Sequence, residues 1–186
     1  MNQLISYNRF YSPIIGLIIL FLLPSCKNND EEQFLWDVLP FNVKIHVQDK
    51  NGNNLLSPDV TGNIRGKKIS AIYDGKEYEL NWDSTNNTTN TRYIPAIFYG
   101  LKLDQGFTLG DIQYEPDPNK SYLIFGDFDG TQNHNIDLTL HIEGYSQSWN
   151  ISARHLVKWY GSELSPKNTY TLNGEDVSSN EIIIVL

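Results

Sequence analysis

The sequence has one cysteine in 186 residues, at position 26. One thiol cannot close an intramolecular disulfide, so the fold must be held by burial alone. Long apolar runs are also missing. The longest is IIGLIILFLL, residues 14–23. A bilayer-spanning helix needs about 20 such residues. Basic charge is scarce, with 14 Lys and Arg against 22 Asp and Glu and a formal net charge of −8. That balance argues against nucleic acid as a partner and against docking on anionic lipid by charge. No segment keeps a helical period, and neither an HExxH pair nor a GxSxG elbow occurs.

What is present begins with the short apolar run. Ten residues is the length of a signal-peptide core, and the flank before it carries Arg9 and no acid. Ser25 is the small residue before the expected cut. The ending LPSC, residues 23–26, resembles the lipobox of bacterial lipoproteins. That resemblance implies cleavage before Cys26, a diacylglyceryl group on its thiol and attachment to the membrane through lipid. Two or more acyl chains hold a protein stably, whereas one gives only marginal binding. Residues 1–25 are therefore expected to be a removed signal peptide. Without them 161 residues remain, with a formal charge of −9.

Residues 26–40 read as a lipidated flexible tether, because KNNDEEQ has nothing to bury. Lys27, Asp30, Glu31 and Glu32 resemble in type the export signal of Bacteroidetes-type surface lipoproteins. The likeness implies an outer-membrane protein facing the cell exterior.

Residues 41–186 read as strands. FNVKIHVQD, residues 41–49, alternates with period two, as a half-buried strand does. ISAIYDGKEYELN carries Asp74-Gly75 at its centre, which favours a type I′ turn. That turn pairs Tyr73 with Lys76, Ile72 with Glu77, Ala71 with Tyr78 and Ser70 with Glu79. It turns Ile69, Ala71, Tyr78, Leu80 and Trp82 to one face. Further strands are expected over 93–103, 107–114, 122–128, 136–142 and 149–153. Residues 154–164 lack period two and suggest a short helical turn. Asn173-Gly174 marks a second hairpin. Strands of this length with turns between them predict an all-β sandwich of seven to nine strands. VKIHVQDKNGNNL resembles the opening strand and turn of prealbumin-like and Ig-like modules. With the lipobox, the chain is similar to small β-sandwich lipoproteins of Bacteroidetes-type bacteria. The final run, residues 182–186, has no polar residue on either face. It is either buried in the sheet, pairing with the first strand, or offered to a neighbouring subunit.

Evidence for chemistry is thin. His141 and Glu143 share a strand face with Asp137 further along it, but a solvated face explains them. Asp127, Asp129, Thr131 and Asn133 alternate as calcium ligands do. The spacing of Gly130 and the absence of a closing glutamate favour a plain turn. No catalytic residue, metal or cofactor is expected. Aromatic residues offer more. Tyr145, Trp149, Trp159 and Tyr160 are candidates to stack on sugar rings or anchor a protein partner. Asp83-Ser84-Thr85 resembles an O-glycosylation sequon of Bacteroidetes-type exported proteins, which implies modification at Ser84. The expected function is a non-enzymatic, surface-displayed binding module with a glycan or protein ligand. A fimbrial or assembly subunit using its C-terminal strand is one alternative. A small hydrolase or glycan-processing accessory is the other.

Overall fold

The computed structural model describes residues 40–83, 96–109, 114–161 and 163–186. The strands, in chain order, are β1 (Phe41–Gln48), β2 (Ile69–Tyr73), β3 (Lys76–Glu79), β4 (Gly100–Asp104), β5 (Phe107–Leu109), β6 (Tyr114–Pro116), β7 (Tyr122–Phe128), β8 (His134–Ile142), β9 (Ser148–Tyr160), β10 (Glu163–Leu172), β11 (Glu175–Val177) and β12 (Ile182–Val185). The one helical element among them is a single 3-10 turn, Pro118–Lys120. The described chain is all-β. Four strands form one sheet in the order β12-β1-β7-β4. Six form the other in the order β11-β10-β9-β8-β2-β3. Strands β5 and β6 make a separate ribbon.

Alternation builds the sandwich. On β1, Phe41, Val43, Ile45 and Val47 are buried while the residues between them are half-exposed. Leu123 and Phe125 of β7 join them from the same sheet. From the six-stranded sheet come Ile69 and Ala71, the run Ile136, Leu138, Leu140 and Ile142, and Trp149, Ile151 and Ala153. Phe125 meets the rings of Tyr73 and Tyr78 across the gap, at 5.4 and 5.7 Å between centroids. Each fully buried aliphatic or aromatic side chain contributes about 1.5–3 kcal/mol. No disulfide is needed to hold such a core.

The β2–β3 hairpin has the expected register, from Ser70 opposite Glu79 to Tyr73 opposite Lys76. Asp74 and Gly75 both take positive φ, 49° and 72°, as a type I′ turn requires. Asn173 and Gly174 repeat that geometry between β10 and β11, at 52° and 86°.

Several expectations need correction. The strand count is twelve among the described residues, because three-residue ribbons at β5, β6 and β11 add to the larger strands. One pair, β1 with β12, is parallel. The strand expected over 93–103 starts at Gly100. The strand expected over 107–114 is instead a hairpin of β5 and β6. No helical turn occurs at 154–160. β9 runs straight through it to Tyr160. Residues 182–186 do pair with the first strand, but at the sheet edge. Ile182 and Ile184 are fully buried, while Ile183 and Val185 face outward.

Candidate interaction surfaces

Strand β9 is longer than the sandwich it serves. Its pairing with β8 runs from His141 opposite Ser148 to His134 opposite His155. Past His155 it pairs only with β10, from Leu156 opposite Lys167 to Tyr160 opposite Glu163. This two-stranded arm is solvated on both sides, which explains the missing alternation in LVKWY. Cross-strand partners share a face. One face of the arm holds Val157, Trp159, Leu164 and Pro166. The other holds Leu156, Lys158, Tyr160 and Glu163. Leu156, Trp159 and Tyr160 are 48, 46 and 63% exposed.

The base of the arm is fixed. His155 is buried, with Nε2 2.9 Å from the Gly130 carbonyl and Nδ1 2.6 Å from Asn168 Oδ1. Phe41 stacks on its ring at 4.5 Å. His134 Nε2 lies 2.7 Å from the Asp129 carbonyl. The Val157 amide donates to Asn133 Oδ1 at 2.6 Å. These contacts tie the turn between β7 and β8 to the arm. They also occupy the loop that alternated like calcium ligands. The Asp129 carboxylate accepts from the Thr131 hydroxyl and amide and from Gln132. The Thr131 hydroxyl is the main reason its pKa lies below the usual carboxylate value. Asp127 Oδ1 accepts from Asn42 and from the Tyr99 hydroxyl.

The four aromatic candidates do not converge. Trp149 is 3% exposed and belongs to the core, so its reading as a binding residue is wrong. Its odd position on β9 turns it inward with Ile151 and Ala153. Tyr145 is partly exposed, meets Trp149 edge-on and carries Lys67 Nζ 5.1 Å over its ring. It sits beside the start of β9. Trp159 and Tyr160 sit at the other end, about 35 Å away along the strand at ~3.3 Å per residue.

On the outer face of the six-stranded sheet a shallow groove of about 410 Å³ runs past Lys68, Ser70, Ile72, Glu77, His141 and Glu143. Lys68 Nζ sits 3.3 Å from Glu77 and 3.2 Å from Glu79. The Ser70 hydroxyl, first among several partners, holds Glu77 below its usual pKa. Asp137 is bound instead to Arg154 and Ser152. Among the described residues no three His, Cys, Asp or Glu side chains are grouped to hold a metal ion.

The other sheet ends in β12. A polar row crosses its outer face beside this edge, and nothing local in the sequence signals it. The Tyr122 hydroxyl, paired with Asp104, is pushed up to about 12, by burial first and then by that carboxylate. His46 lies beside the Tyr122 ring at 5.4 Å. His46 Nε2 is 3.2 Å from Glu181 Oε2, though off the line of a hydrogen bond, and Lys44 Nζ is 4.0 Å from Glu181 Oε1. Residues Ile183 and Val185, 46 and 54% exposed, complete this edge.

Cys26, Lys27, Asp30, Glu31, Glu32 and Ser84 lie outside the described residues. Among the described residues no helix is long and apolar enough to cross a membrane. Comparison with protein-family models, curated proteins and solved structures finds no match to this chain.

Proposed function

We propose that the chain is a non-enzymatic lipoprotein, anchored to the outer membrane through Cys26 and displayed to the exterior, whose β-sandwich serves as a binding module. The module is read as Ig-like or prealbumin-like on the strength of its VKIHVQDKNGNNL opening strand and turn. The observation that carries the binding role is the β9–β10 arm. It extends past the sheet on a base fixed by His155, Asn168 and Phe41, and it presents Leu156 and Tyr160 on one face. An exposed aromatic side chain offers a large contact area with few rotatable bonds, which suits stacking on a sugar ring or seating in a protein pocket.

The test is a screen of the folded chain against glycan and peptide arrays, followed by the Leu156→Ala/Tyr160→Ala variant. Loss of a captured ligand at least about tenfold, with an unchanged melting midpoint, supports the reading. A ligand that binds the variant equally well places the site elsewhere. A second reading, an assembly subunit, is favoured by one specific observation. The apolar strand β12 closes its sheet at an edge and exposes Ile183 and Val185 there.

A further inference from the structure

The edge strands of the two sheets are not alike. β3 reads KEYE, β11 reads EDV, and β4 reads GLKLD. Each carries charge, which blocks pairing with another chain. β12 reads IIIV and carries none. The chain as a whole has a formal charge of −8, so two copies repel each other over most of their surface. The edge at β12 adds no charged side chain of its own to that repulsion. The neighbouring Glu181 carboxylate already faces Lys44 and His46.

The backbone at this edge is also oriented. The Leu186 amide donates to the Gln48 carbonyl, so residues 182, 184 and 186 direct their main-chain groups to β1. Alternation then directs the N–H and C=O of Ile183 and Val185 to the open side. Among the described residues no strand pairs with β12 there.

We propose that β12 is a self-association edge, pairing antiparallel with β12 of a second copy about a two-fold axis at Ile184. This rests on, and deepens, the assembly reading by naming the partner. The register follows from the two alternations. With Ile184 facing its own copy, Ile183 of each chain lies opposite Val185 of the other. Both outward residues then exchange their main-chain hydrogen bonds, and their exposed side chains form cross-strand pairs on the outer face. A register shifted by one residue would set inward side chains against outward ones. Because the same strand meets itself, the contact closes at two copies and does not propagate into a fibre. The strand stays in its own sheet, since Ile182 and Ile184 are fully buried there. Four residues on each side make a contact about 14 Å long. Four is far fewer than the about 20–30 residues a side of a stable interface, so the dimer forms at high local concentration, as chains confined to one membrane surface reach.

Sedimentation equilibrium of the full chain from micromolar to millimolar concentration tests this. A monomer–dimer equilibrium is expected. The Ile183→Lys/Val185→Lys variant should weaken it by about tenfold or more, as should Val185→Pro, which removes an outward N–H and leaves the ladder to β1 intact. In a Cys26→Ser background, Ile183→Cys mixed with Val185→Cys should form a disulfide-linked dimer that neither variant forms alone as readily. A chain that stays monomeric throughout overturns the proposal, as does a dimer that the Lys and Pro variants leave unchanged. Species larger than dimers overturn the two-fold closure. The arm screen uses residues on the other sheet, so either test can fail without the other.

Discussion

Trp149 and Tyr160 stand eleven residues apart on one strand, 3 and 63% exposed. Their difference follows from parity and from where the facing sheet ends. Trp149→Ala should cost about 3–5 kcal/mol of unfolding free energy. Tyr160→Ala should stay within about 0.5 kcal/mol, as surface changes do. Urea denaturation of the two variants measures both, and equal midpoints would contradict the burial assignment. The sequence put both residues in one class because polar SQS and N flank Trp149 and hide its inward parity. By contrast, Ile69, Ala71, Tyr78 and Leu80 were legible to the residue. There the Asp74-Gly75 turn fixes the register that alternation alone leaves open. Gly100 shows the opposite limit. Its φ is +83°, and a side chain there would enter the Tyr78 ring, which no local pattern announces.

At the scale of elements, β12 and the arm play different parts. Ile182 and Ile184 are fully buried, and removing a core isoleucine costs about 2–5 kcal/mol each. Against a typical total of about 5–15 kcal/mol, a chain truncated before Ile182 should lose its cooperative melt, read by circular dichroism. A truncated chain that still melts cooperatively would mean that the strand is an appendage to the core. The presence of a final strand was readable in EIIIVL. Its place at the edge, parallel to β1, was not, because Gln48 and Ile182 stand 134 positions apart and nothing in either segment names the other. The arm was unreadable for a different reason. A ribbon solvated on both faces puts no period-two constraint on its residues, so LVKWY looked like something other than strand.

For the whole molecule, fourteen residues of sequence lie between the attachment point proposed at Cys26 and the first strand. A single cysteine leaves no disulfide to couple them. Cys26→Ser should therefore move the protein from the membrane fraction to the soluble one while its melting midpoint stays the same. An unchanged membrane fraction would overturn the lipid anchor. The reading of Lys27, Asp30, Glu31 and Glu32 as an export signal, and of Ser84 as a glycan site, depends on that anchor and on an exterior location.

The amino-acid sequence alone determined the all-β class, the main alternating strands and both Asx-Gly turns. Side-chain alternation and positive φ are local consequences of residue type. Tertiary structure alone decided that Tyr145 and Tyr160 lie at opposite ends of the module, that Trp149 is core, that β9 and β10 outrun their sheet and that β12 is an uncharged edge. Each of these depends on which strands become neighbours. Hydrogen-bonded pairing between distant segments uses main-chain groups that every residue but proline carries in full, so it leaves little mark in the sequence of either partner.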